Sequence, residues 1–216
     1  TASDGLQGNL DSYASPIFFA DGTKVAFVSA ASNLVADDNG YWHDIFIKDL
    51  NTGAITLVDR AADGSQANNQ SYNPVFSADG TKVAFVSDAS NLVMDDTNVQ
   101  SDIFVKDLTT GAIMRVNTTA DGSQADAYSS NPAISADGTK VVFISDARNL
   151  VLNDTNVQSD IFIKYLITGA IMRVNTTADG LQANGHSGKP VFSADGTKVA
   201  FISDASNLVE GDTNGT

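Results

Sequence analysis

The sequence predicts an all-β chain of repeated four-stranded antiparallel sheets, on three observations. The first is its turns. Seventeen glycines stand against four prolines, and most of the glycines follow Asp, Thr or Asn, the turn chemistry that joins short antiparallel strands. The second is the apolar runs between those turns, which are short and rich in valine, isoleucine and phenylalanine. Apolar residues make up 42% of the 216 residues, enough for a packed core in one domain or a short array. The third is a strict period. "ADGTK" begins at Ala20, Ala78, Ala136 and Ala194, always 58 residues apart, and "ADG" recurs at Ala62, Ala120 and Ala178 with the same spacing. Residues 97–122 return at 155–180 with three changes, Val105 to Ile163, Asp107 to Tyr165 and Thr109 to Ile167. Units this similar must fold alike.

The second unit shows the expected elements in order. "NPVFS" at 73–77 is strand a, and the Asp79-Gly80 turn leads to strand b, "TKVAFVS", at 81–87. A long polar loop follows. "DIFVKDL" at 102–108 is strand c, and the Thr110-Gly111 turn leads to strand d, "AIMRVNT", at 112–118. Strand b places Val83 and Phe85 on one face and Ala84 and Val86 on the other, so both faces must be covered. Strand d sets Arg115 and Asn117 on the face of Ile113, which predicts an outer strand near solvent. Four-stranded antiparallel sheets covered on both faces and repeated at a fixed period describe the blades of a β-propeller. A β-solenoid is the competing architecture, with shorter periods and fewer hairpin turns. The chain reads as a single array over 1–216, with units at about 4–62, 63–120, 121–178 and an incomplete 179–216. That is about 3.7 repeats, fewer than a closed ring needs. The expectation is a fragment of a longer array, or a partial propeller that a second copy of the chain completes as a homo-oligomer.

These residues resemble the TolB-type WD-like propeller repeats. That pattern, Pro, then Ser-x-Asp-Gly, a basic residue, an apolar strand and Asp-Ile-aromatic-Val, is met by Pro74, Ser77, Asp79, Gly80, Lys82 and Asp102-Ile103-Phe104-Val105. It returns at Pro16, Pro132 and Pro190. The chain is also similar to long tandem arrays in secreted bacterial proteins, where such units accompany calcium-dependent surface domains. The resemblance implies a secreted, periplasmic or cell-surface protein. It leaves function open, because the family spans scaffolds and peptidase propeller domains.

Charge narrows the partners. The formal net charge is −14, from 26 acidic and 12 basic residues. Such a field repels nucleic acid and anionic membranes, so neither is expected as a partner. No run is long and apolar enough to span a bilayer. There is no cysteine, which removes disulfides, thiolate metal sites and cysteine nucleophiles.

Two features carry candidate chemistry. The b–c loop "DDTNVQSD" at 95–102 returns as "NDTNVQSD" at 153–160, and "GDTNGT" ends the chain at 211–216. Alternating Asp and Asn oxygens can converge on calcium, which takes six to eight oxygen ligands. The candidate ligands are Asp96, Asn98 and Asp102, with Asp154, Asn156 and Asp160. The match to a calcium loop is partial, because Gln100 and Ser101 stand where an acid or amide and a glycine are needed. The alternative is that these side chains bond their own backbone as Asx and ST turns, with Asp102 anchoring strand c.

The other feature is a departure from the repeat. The first unit reads "DDNGYWHD", and Tyr41, Trp42 and His43 fall at its loop tip as a candidate ligand-binding group. Trp42 is the one tryptophan of the chain. Exposed aromatics favour protein or glycan contacts; an aromatic plug covering the first blade is the alternative. Catalysis has little support. His43 and His186 are not equivalent, Glu210 is the only glutamate and no Gly-x-Ser-x-Gly elbow occurs. An active site is made once, whereas these carboxylates recur in every unit. The expected function is a non-catalytic binding or scaffold module; the alternatives are the propeller domain of a hydrolase and a purely structural spacer array.

Overall fold

Short runs that are apolar on both faces, set between tight turns, fold each unit into its own meander. The computed structural model describes residues 1–2, 4–38 and 40–212. The loop copy at 213–216 lies outside the described residues. The first sheet contains β1 (Ser12–Phe18), β2 (Lys24–Ser29), β3 (Asp44–Asp49) and β4 (Ile55–Leu57). The second contains β5 (Ser71–Phe76), β6 (Lys82–Ser87), β7 (Asp102–Asp107) and β8 (Ile113–Arg115), and the third β9 (Ser129–Ile134), β10 (Lys140–Ser145), β11 (Asp160–Tyr165) and β12 (Ile171–Arg173). The last pair is β13 (Ser187–Phe192) and β14 (Val199–Ser203). Neighbouring strands pair antiparallel in chain order within each sheet. No helix of the described residues is long and apolar enough to cross a membrane.

Two strands differ from expectation. Strand a of the second unit starts at Ser71, two residues early, and is bulged between Tyr72 and Val75. Asn73 takes φ 53° there, a left-handed conformation that asparagine tolerates. Its counterparts Asn131 and Lys189 do the same at φ 50°. Strand d is only three residues long and its polar face is not wet. Val116 and Asn117 are fully buried and the Arg115 side chain is 9% exposed. Beyond Arg115 the chain turns inward, held by Val116 N–H to the Ile103 carbonyl at 2.7 Å.

The sheets stack face to face along the chain. Val83, Phe85 and Phe104 of the second sheet join Ala26, Val28, Ile45 and Ile47 of the first in one core. Ala84, Val86, Ile103 and Val105 on the opposite face meet Val141, Phe143 and Phe162 of the third. Removing one such phenylalanine ring to alanine costs about 3–5 kcal/mol in a core of this kind. Each seam is also tied by the first strand of the next sheet. Ser71 N–H donates to the His43 carbonyl at 2.7 Å, Ser129 to Ser101 at 3.1 Å and Ser187 to Ser159 at 3.0 Å. The end of the b–c loop in each of the first three blades is therefore fixed to the following blade.

Candidate functional site

The b–c loop runs over one end of each blade, and its acids face inward. In the second unit Asp102 opens β7 and is fully buried. Its Oδ1 accepts from Asn117 Nδ2 at 2.6 Å and Asn98 Nδ2 at 3.2 Å. Its Oδ2 accepts from Arg115 NH1 at 3.1 Å, and the same nitrogen is 3.1 Å from Asp96 Oδ1 and 2.7 Å from Gln124 Oε1. Asn98 also donates to the Ala125 carbonyl at 2.9 Å and accepts from Gln100 N–H at 3.1 Å. Asn117 closes the cluster, accepting from Ile103 N–H at 3.0 Å.

The third unit repeats these contacts. Arg173 lies 3.1 Å from both Asp154 and Asp160, Asn175 donates to Asp160 at 2.6 Å, and Asn156 donates to Asp160 at 3.2 Å and to the Ala183 carbonyl at 2.8 Å. The six candidate ligands are thus brought together, three in each unit, around a guanidinium. Burial, and then the neighbouring Asp102, pushes Asp96 up to about 6 although Arg115 opposes the shift. Asp154 is raised for the same reasons. Among the described residues no group of three or more His, Cys, Asp or Glu is placed to hold a metal ion.

Sequence reasoning missed Arg115, Asn117 and Gln124 as members of this cluster, with their counterparts Arg173, Asn175 and Gln182. A signal was present: an arginine and an asparagine recurring with the period on the face of a strand that also carries Ile113. It also missed a pair on the rim. Ser101 Oγ donates to Asp88 Oδ1 at 2.5 Å and Ser159 Oγ to Asp146 Oδ1 at 2.6 Å. The first unit has Ala30 and His43 at these two places, so both partners change together. Near the third seam Ser159 N–H donates to His186 Nδ1 at 3.0 Å. The Ser159 hydroxyl faces Asp146 and not the imidazole, so this trio does not form a nucleophile–base pair. It lines an open cleft of about 510 Å³ with Asp126, Arg148 and Gln158.

The first unit presents its aromatics outward. Tyr41 is 88% and Trp42 48% exposed. The His43 ring packs on Tyr13 with centroids 5.4 Å apart, and Tyr13 is itself exposed. The tip positions of the other units carry valines, Val99 and Val157, at φ 55° and 58°. The site is thus an aromatic patch on one blade of a repeated frame.

Solved structures share that frame. The chain superposes on a protein described as TolB from Agrobacterium tumefaciens with a TM-score of 0.58 and 16% identity, over 93% of this chain and 58% of that one. The fold is a partial β-propeller. An oligogalacturonate lyase of Vibrio parahaemolyticus matches with a TM-score of 0.59 and 14% identity, over 94% of this chain and 50% of that one. The tricorn protease matches with a TM-score of 0.54 and 17% identity, over 86% of this chain and 14% of that one. The chain therefore spans little more than half the length of these proteins, or far less. No family model and no curated protein sequence matches it. At these identities the likeness is one of fold.

Proposed function

We propose that the chain is a non-catalytic binding or scaffold module of a secreted, periplasmic or cell-surface protein, and that it contacts a protein or glycan through the loop of its first blade. The observation that carries this reading is the exposed cluster of Tyr13, Tyr41 and Trp42 with His43. Aromatic faces of this kind stack on sugar rings or anchor protein contacts at low entropic cost. The charge of −14 argues against polyanionic ligands such as oligogalacturonate and favours neutral glycans or basic protein surfaces. Titration with neutral cello-, malto- and chito-oligosaccharides and with a basic protein tests it, read by isothermal titration calorimetry, which needs no tryptophan. Trp42→Ala should weaken binding at least tenfold without changing the melting temperature. Equal binding by the variant overturns the reading. The hydrolase-accessory alternative draws its support from the tricorn protease match.

In this reading Arg115 and Arg173 serve as the cations of the b–c loops, and calcium is not required. A ligand that binds only the folded form must raise its melting midpoint. The midpoint is therefore expected to be the same with calcium and with chelator; a drop on chelation would overturn this reading of the loops in favour of calcium.

A further inference from the structure

Blade 1 departs from blades 2 and 3 at two buried positions. Leu57 stands where they have Arg115 and Arg173, and Asp59 where they have Asn117 and Asn175. The cluster loses its cation and gains a carboxylate, which leaves Asp38, Asp44 and Asp59. Gln66 turns its amide nitrogen to donate to Asp38 Oδ1 and Asp44 Oδ2, each at 3.0 Å. That nitrogen takes over the part the guanidinium plays in the sister blades. Asp59 Oδ1 accepts from Ile45 N–H at 3.1 Å. The other two oxygens, Asp44 Oδ1 and Asp59 Oδ2, are buried and have no hydrogen-bond partner. The residues are 1% and 0% exposed. At the equivalent contact in blades 2 and 3, Asn117 and Asn175 donate to Asp102 and Asp160 at 2.6 Å. Two carboxylates cannot take over such a contact while both are ionised.

We propose that Asp44 and Asp59 share one proton at neutral pH, as a carboxylic acid hydrogen-bonded to a carboxylate, and that losing it in alkaline solution releases the aromatic loop from the seam between blades 1 and 2. Asp44 opens β3, two residues after Trp42, and Asp59 follows β4. Around them Asp38 adds negative charge from the loop. Lys106 on β7 donates to the Arg60 carbonyl at 2.6 Å, and its charge and that of Asp59 attract each other. Arg60 points away, to the Gly64 carbonyl at 2.9 Å and the Asp37 carbonyl at 3.4 Å. Ser71 on β5 lies 2.9 Å from Ser87 Oγ, and its hydroxyl also faces Asp59 and opposes the rise there. The adjacent His43 ring lies against Tyr13. Burial, and then the charge of Asp59, pushes Asp44 up to about 9, and burial raises Asp59.

The folded chain therefore holds a proton that the unfolded chain gives up above about pH 4. Stability falls as pH rises through the window from about 4 to about 9, by roughly tenfold in the unfolding equilibrium per pH unit. Asp96 acts with the same sign, but its effect is nearly complete by pH 7. Lys106 and Lys164 are lowered and act with the opposite sign near the lysine range. A variant at Asp59 isolates the pair from Asp96 and Lys164; it also removes the charge that attracts Lys106, whose effect has the opposite sign and lies near the lysine range.

Asp59→Asn restores the asparagine of blades 2 and 3 at one of the two positions and removes the second carboxylate. Calorimetric unfolding at pH 8, in buffers of different ionisation enthalpy, should show the wild type releasing about one proton more than the variant. The wild-type midpoint should drop between pH 6 and pH 9 more steeply than the variant's, and Trp42 emission should titrate over pH 7–10 in the wild type alone. Equal proton counts and equal slopes overturn the proposal. So does a wild-type midpoint at pH 8 that millimolar calcium or magnesium raises while leaving the variant unchanged, since a metal ion and not a proton would then lie between the carboxylates. Should Asp59→Asn fail to fold, the wild type decides alone: no proton released at pH 8 overturns the assignment.

Discussion

Arg115 shares one buried space with two carboxylates, an amide oxygen and a backbone carbonyl, and its Nε is left without a partner. A desolvated cation of this kind is held by its acids, and they by it. Arg115→Ala leaves Asp96 and Asp102 buried together without a counter-charge, so it should destabilise the chain by about 3–5 kcal/mol in urea unfolding. The loss should lessen at low pH, where Asp96, already raised, takes up a proton. The sequence shows where Arg115 falls, on a short strand, with Arg173 one period further on. It does not show that the strand ends there and turns its side chain under the loop. That depends on Asn117 capping Ile103 N–H from across the sheet, a contact between residues 14 apart.

Each blade is a set of turns whose glycines share one conformation but not one neighbourhood. Gly22 and Gly80 both adopt φ 67°, which side-chain-bearing residues reach at a cost. Nothing lies within 4 Å of where a Cβ on Gly22 would be, while one on Gly80 would stand 2.7 Å from the Phe19 ring. That ring packs on Phe76 with centroids 4.4 Å apart, inside the first seam. Gly22→Ala should cost about 1–2 kcal/mol from backbone strain alone, and Gly80→Ala clearly more; equal thermal shifts would mean that Phe19 moves freely. The turns and strands b and c were legible, because Asp-Gly pairs and two-sided apolar runs are local signals. The early start of strand a was not, since the bulge at Asn73 is set by pairing with β6.

Across the molecule the two sides of a blade are unequal at the last hairpin. Val86 is fully buried against the third blade, but its counterpart Ile202 is 58% exposed, as is Val191 at 55%. Among the described residues β14 pairs only with β13, which leaves an apolar face beside a free strand edge. Sedimentation is expected to show species heavier than the 22.6 kDa chain, and Ile202→Lys should shift them towards monomer. A compact monomer at all concentrations would count against this. The period of the array was plain from residues 20 to 194, yet how an exposed blade face is covered depends on contacts that no repeat unit contains.

The clusters at 95–125 and 153–183 share their central contacts, and each involves only one loop, its own blade and the start of the next. The second and third joints therefore accept the same neighbour on either side. Excising 97–154 would join Asp96 to Thr155 and recreate the same junction, so the chain can shorten or lengthen by whole units without inventing a contact. Such an array grows by copying and acquires individuality where a copy departs, at the tip with Tyr41 and Trp42 and beneath it at Leu57 and Asp59.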